Sequence, residues 1–335
     1  MKILLYGEYW EGTHVDSISI VLNEKKIQNT VFNFDSYLRF NTRSVLINKT
    51  LRRLFYYLNE YFINIHLLKT IKSFKPNVLV ISKGINIYSS TLKKIKKFDI
   101  IICNWNPDDF FNTMNSSIHL KRSFKIYDIV FSARKHLFHE YYSKGFKKMI
   151  YLDWYFIPWL HKLNNSSKVN RKISFIGTRS LRREKIINSI DNSFLIDVWG
   201  SGWSHSKLAL KDNIKIKKKV LDQKYFPEII SSSLVNLNIL TIENRDRTNL
   251  KIFEIIASGG FLLTEDNIQC RELLGDFGFY YDDSNLNDVL KQIFEMELDE
   301  YNSKRNLMYK QLIKNSNSIY DRVDDLLSHI RSLNN

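Results

Sequence analysis

The residues best suited to chemistry lie in the run Asn249-Leu250-Lys251-Ile252-Phe253-Glu254-Ile255-Ile256-Ala257-Ser258-Gly259-Gly260, followed by apolar residues 261–264. Thr248 and Asn249 can each cap a helix, Ile252, Phe253, Ile255 and Ile256 give it an apolar face, and the paired glycines stop it before a buried strand. Lys251 and Glu254 stand three apart and therefore share a face. A helix with polar residues in its first turn, next to a buried strand, is where an α/β protein can hold a phosphorylated ligand. The pair could grip a nucleotide sugar, lysine at the phosphates and glutamate accepting from ribose hydroxyls. The plainer reading is an amphipathic helix with an exposed ion pair.

Three further segments carry candidate groups. Gly7-Glu8-Tyr9-Trp10-Glu11-Gly12-Thr13-His14-Val15-Asp16 opens onto an apolar helix; Gly12 allows close backbone approach to a ligand, and the helix amides beyond it can face an anion. His14 and Asp16 are candidate bases for an acceptor hydroxyl, although a loop histidine can equally be incidental. There is no G-x-G-x-x-G here, so a dinucleotide fingerprint is absent. In Asn104-Trp105-Asn106-Pro107-Asp108-Asp109, proline ends a buried run and two carboxylates follow, either of which could simply cap the next turn. Ser174-Phe175-Ile176-Gly177-Thr178-Arg179 reads as a strand and a glycine turn; arginine there can meet a diphosphate bidentately and stabilise it as it leaves. Arg182 and Arg183, one turn on, could be only solvated surface.

The order N-x-[RK]-x-F-E-x-x-A-x-G-G followed by F-L-L-T-E, read here from Asn249 to Glu265, resembles the donor-site pattern of GT-B glycosyltransferases, especially the CgeB-like, spore-maturation-type branch. The likeness is strong over residues 173–281 and weak over most of the rest. It implies two Rossmann-like domains with parallel sheets facing an interdomain cleft. By the same resemblance Glu254 binds the donor ribose, Arg179 grips phosphate, and the loop holding Gly12 lies under the donor phosphates and the acceptor. Trp105 to Asp109 is similar to a W-x-P-D-D segment of that branch, which implies acceptor binding or acid-base work for Asp108 and Asp109. Trp199-Gly200-Ser201-Gly202-Trp203 resembles the turn after the family's second strand, and Lys218, Lys219 and Val220 stand where backbone near the third strand contacts the base. Arg247, Thr248 and Asn249 complete the donor set. The offset from Asp246 to Glu254 is similar to the E-x7-E pattern of retaining members, but the first position is aspartate here, so retaining or inverting stays open.

The elements that must position these groups alternate along the chain. Residues 2–6, 29–34, 77–82, 99–104, 129–132 and 148–152 read as strands, and 16–26, 45–74, 89–97, 124–127 and 135–144 as helical. The second half repeats the pattern, with strands at 172–177, 194–199, 214–217, 234–239, 260–264 and 279–281 and helices at 181–189, 223–232, 248–258, 268–274, 285–295 and 298–316. The polar stretch 161–171 reads as a linker. Expected domains are therefore 1–160 for the acceptor and 161–317 for the donor, with a helix in 318–335 returning to the first.

With 44% hydrophobic and 25% charged residues over 335 positions, the chain can bury two cores and is not a disordered type. Cys103 and Cys270 lie far apart without metal spacing, which points to a reducing compartment. Neither a signal peptide nor an apolar run of spanning length is present, so the expected location is cytoplasmic, at most at the inner face of the plasma membrane. Residues 1–160 hold 24 Lys and Arg against 12 Asp and Glu, a surplus of 12, whereas residues 161–335 hold 26 against 23, a surplus of 3. A basic first half suits anionic lipid or a phosphorylated, lipid-linked acceptor, with compositional bias as the plainer cause. No D-x-D motif is available for a divalent ion, so Arg179 and Lys251 are expected to serve in place of magnesium, with no other cofactor. The expected activity is transfer of a sugar from a nucleotide donor to a hydroxyl of a glycan or lipid-linked saccharide. The alternatives are a non-catalytic protein binding nucleic acid or an anionic surface, weakened by the lack of any nucleic-acid motif, and a transferase of a non-sugar group on the same scaffold.

Overall fold

The computed structural model describes residues 1–37, 55–163, 169–206, 208–217, 221–244 and 247–333. The sequence readings for residues 45–54, for the middle of the polar stretch, for Lys218, Lys219 and Val220, and for Arg245 and Asp246 fall outside them. The chain divides into two compact units, residues 1–153 with 319–335, and Trp154–Ser318.

In the first unit the continuous apolar runs form a six-stranded sheet: β1 (Lys2–Gly7), β2 (Gln28–Asn33), β3 (Val78–Ser82), β4 (Ile101–Trp105), β5 (Ile129–Ser132) and β6 (Met149–Tyr151). All neighbours pair in parallel, in the order β2-β1-β3-β4-β5-β6. Helices α1 (His14–Glu24), α2 (Tyr56–Phe74), α3 (Ser89–Lys96), α4 (Ile118–Ser123) and α5 (Phe138–Ser143) lie between the strands in sequence. Such runs need cover on both faces, and Ile3, Leu4, Val78, Leu79 and Ile102 are accordingly buried. The helix expected at 124–127 instead spans Ile118–Ser123, its start fixed by Ser117, which accepts from the Leu120 N–H at 3.0 Å.

The second unit repeats the architecture with β7 (Asn170–Ile176), β8 (Ile196–Trp199), β9 (Ile214–Lys217), β10 (Ser233–Asn238), β11 (Leu262–Glu265) and β12 (Phe279–Tyr281). This six-stranded parallel sheet has the order β12-β11-β10-β7-β8-β9. Its helices are α6 (Leu181–Ser189), α7 (Phe226–Ser232), α8 (Leu250–Ala257), α9 (Ile268–Leu274), α10 (Leu286–Glu295) and α11 (Leu298–Lys314). Strand order reverses between β1 and β3 in one sheet and between β7 and β10 in the other, and a parallel sheet opens a ligand crevice at the carboxyl ends of such strands.

The last helix, α12 (Ile319–Arg331), belongs to the first unit and packs on α1. Tyr320 donates to Glu24 at 2.7 Å, Lys25 pairs with Asp324 at 2.8 Å, and Arg322 donates to the Asp153 carbonyl at 3.1 Å. The second unit begins at Trp154, so His161 lies inside it and is buried rather than part of a solvated linker. No described helix is long and apolar enough to cross a membrane.

Candidate active site

Helix α8 is defined at both ends by hydrogen bonds. Asn249 caps it, accepting from the Ile252 N–H at 3.3 Å while donating to Asn238 at 3.0 Å; Asn238 in turn donates to Thr264 at 3.0 Å. Thr248 is buried beside it, its N–H bonded to Gln269. At the other end Gly259, at φ +76°, donates to the Ile256 carbonyl and Gly260 to that of Ile255, which satisfies two orphan carbonyls. A Cβ on Gly260 would stand 2.4 Å from Ile230, so the close approach needs glycine there. Ile252, Phe253 and Ile256 are buried, each worth roughly 1.5–3 kcal/mol, and this anchors the helix.

Glu254 projects from the same helix yet is only 5% exposed. Lys251 Nζ meets its Oε2 at 2.5 Å and lies 4.5 Å from the centre of the Phe226 ring. His161 Nε2 stands 3.7 Å from Oε1. Burial holds the His161 pKa below its usual value, with Glu254 opposing that shift and Lys251 adding to it. The predicted pair is thus brought together, but as a buried carboxylate with two nitrogen neighbours rather than as an exposed ion pair. Arg247 sits on the approach to α8, its carbonyl accepting from Asn267.

Two turns meet at the ends of β7 and β8. Gly200, at φ +135°, packs so closely that an added Cβ would lie 2.2 Å from the Gly177 carbonyl oxygen. Trp203 Nε1 donates to that carbonyl at 2.8 Å, and the Arg179 N–H donates to the Ser201 carbonyl at 2.9 Å. Gly200 therefore serves the packing of the two turns. The Arg179 guanidinium is held bidentately by the fully buried Glu184, at 2.6 and 2.8 Å. That pairing lowers the Glu184 pKa and raises that of Arg179.

Arg182 and Arg183 are not solvated surface. Arg182 donates to the Leu240 carbonyl and to Glu265, and Arg183 donates to the Ile239 and Thr178 carbonyls while stacking on Phe175. Both arginines cross from α6 to the residues after β10 and satisfy carbonyls left unpaired at the end of a strand.

In the first unit the loop after β1 is closed on itself. Gly12 takes φ +80° and donates to Asp16 at 2.9 Å, Thr13 caps α1 by accepting from the Asp16 N–H, and the Thr13 N–H returns to the Trp10 carbonyl at 3.0 Å. Asp16 is thereby committed to the helix start, as a capping group. His14 lines a cavity of about 280 Å³ with Glu8, Thr13, Lys83, Asn86 and Asn115, at the reversal between β1 and β3. Its ring meets Trp105 edge-on at 4.2 Å, and desolvation, then the neighbouring Lys83 charge, lower its pKa to about 3.

Lys83 has φ +61°, and the Gly84 N–H bonds back to the Ser82 carbonyl at 2.8 Å, a γ-turn strained for a residue with a side chain. The turn persists because its surroundings pin it. Asn104 donates to the Lys83 carbonyl, Ser117 to that of Ile85, and Asn64 to that of Asn86. Asp108 pairs with Lys83 at 2.6 Å, whereas Asp109 accepts from the Phe111 N–H at 2.8 Å and caps the turn. Lys83, Glu184 and His161 are the site residues that sequence reading passed over. A lysine-glycine step directly after a buried strand was the available signal for the first.

Residues 179–328 match a family profile described as glycosyl transferase-like. No curated protein matches the chain. Among solved structures, HepE of Anabaena in complex with UDP-glucose aligns with a TM-score of 0.67 at 12% identity over 99% of each chain. A structure described as trehalose-6-phosphate from E. coli bound with UDP-2-fluoro glucose aligns at 0.65 and 12% identity over 98% of each. An alpha-glucosyltransferase in complex with UDP-glucose and DNA containing an abasic site aligns at 0.62 and 14% identity over 98% of each. The two parallel sheets of this chain have the GT-B fold, and its residues 179–328 carry a glycosyl transferase-like segment.

Proposed function

We propose that the protein is a metal-independent glycosyltransferase of the CgeB-like branch, moving a sugar from a nucleotide-sugar donor to a hydroxyl of a glycan or lipid-linked saccharide in the assembly of a bacterial surface polysaccharide. The observation that carries this reading is Glu254, a buried carboxylate flanked by Lys251 and His161 inside the glycosyl transferase-like segment. A carboxylate so placed suits two ribose hydroxyls, and Lys251 suits the phosphates next to them. Arg179 would stabilise the departing diphosphate through whichever guanidinium edge Glu184 leaves open.

Acceptor recognition falls in this reading to the cavity of the first unit. His14 is neutral near pH 7, because its pKa lies at about 3, and proton uptake becomes easier once an anionic group offsets Lys83. Asp108, beside Lys83, is the second candidate base. The surplus of Lys and Arg in residues 1–160 suits contact with the anionic inner face of a membrane.

The test is a mass-spectrometric screen of donor hydrolysis across a nucleotide-sugar library, with Glu254→Ala beside the wild type. The variant is expected to raise the dissociation constant of the preferred donor about 10- to 100-fold, the range for hydrogen bonds to a charged group. A variant that binds and turns over donor like the wild type removes the assignment. Thermal stabilisation by short oligonucleotides and not by nucleoside diphosphates would favour the non-catalytic reading.

A further inference from the structure

We propose that His161 is a positioning residue of the donor site, its Nε2 edge fixing the Glu254 carboxylate in the orientation that meets the ribose. This rests on the donor reading above and assigns a role to a residue outside the segment that matches the family profile. His161 is 4% exposed and locked by its own turn, since its N–H donates to the Ile157 carbonyl at 2.7 Å. The Ile157 N–H donates in return to His161 Nδ1 at 2.9 Å. With Nδ1 an acceptor, the neutral ring carries its proton on Nε2, and that edge faces Glu254 Oε1 at 3.7 Å. The separation exceeds a hydrogen bond, as it commonly does in a site that tightens on its ligand.

The opposite oxygen is held separately. Lys251 meets Oε2 at 2.5 Å, and Phe226 lies under its ammonium while meeting the His161 ring edge-on at 5.8 Å. One nitrogen neighbour per oxygen fixes the plane of the carboxylate, which a lone lysine on a flexible stem would leave free to rotate.

The experiment measures binding of uridine diphosphate, and of the other common nucleoside diphosphates, each against its 2′,3′-dideoxy analogue, to the full chain. Wild type is expected to prefer the ribose form by about tenfold or more, and Glu254→Ala to abolish the preference. His161→Asn keeps an acceptor where Nδ1 stood, and so preserves the turn, but has no atom at the Nε2 position. His161→Gln restores an N–H near that position and loses the turn acceptor. On this proposal Asn cuts the preference at least about threefold, Gln retains more of it, and neither changes the preference further in a Glu254→Ala background. A packing role predicts the reverse order, and Asn retaining the preference while Gln loses it overturns the proposal. Wild type without any ribose preference overturns the donor reading as well. A wild-type preference lost in Glu254→Ala but intact in both His161 variants overturns this inference alone.

Discussion

The two sheet reversals hold their polar groups on different backbones. At the reversal between β7 and β10, three cations each meet a carboxylate, Arg179 with Glu184, Arg182 with Glu265, and Lys251 with Glu254, while Arg183 donates to main-chain carbonyls. At the reversal between β1 and β3, Lys83 also pairs with Asp108, but from a left-handed turn, and His14 is desolvated beside it. The second unit thus presents paired charges beside its sheet reversal, and the first a cavity bordered by a left-handed turn and a desolvated imidazole.

The strongest way to break the comparison is Arg179→Ala. It leaves Glu184, fully buried, without its bidentate partner, so the midpoint of denaturant unfolding should fall. An unchanged midpoint would show that the pairing is not what holds this turn.

Next comes pH. The folded-state pKa of His14 is depressed to about 3 from an ordinary 6.5, so below pH 6.5 the unfolded chain takes up a proton that the folded one refuses. Its contribution is therefore present above pH 6.5 and is lost as pH falls toward 3, by up to about 1.4 kcal/mol per pH unit. His14→Gln should flatten the wild-type slope across that window in thermal melts at fixed ionic strength. An unchanged slope would place the titration elsewhere.

The smallest effect sharpens the contrast. Lys83→Gly relieves the left-handed strain and should raise stability by about 1 kcal/mol; on the proposed function, transfer to the acceptor falls and donor binding stays unchanged. A variant that gains stability and keeps full transfer would make the turn an accident of the loop.

The fold was legible because buried parallel strands leave continuous apolar runs, as in Val78–Ser82, and because a side-chain cap such as Asn249 marks a helix start. Lys251 and Glu254 could be paired on paper, since three residues along one helix place them together. His161 could not, because its meeting with Glu254 depends on how the stretch after Trp154 folds back beside α8. The partners of Arg182 and Arg183 are illegible for a related reason. Their partners are main-chain carbonyls at Ile239 and Leu240, and a carbonyl in need of a donor leaves no mark in residue type.

The membership of α12 in the first unit bears on biosynthesis. Ile319, Val323, Leu326 and Ile330 are buried, yet they leave the ribosome only after the whole of Trp154–Ser318 has been made. Until then α1 lacks the helix that covers it in the folded unit. Cutting the gene after residue 318 would accordingly damage the amino-terminal half of the molecule, and a fragment ending at residue 153 would be an orphan in need of its last helix supplied in trans.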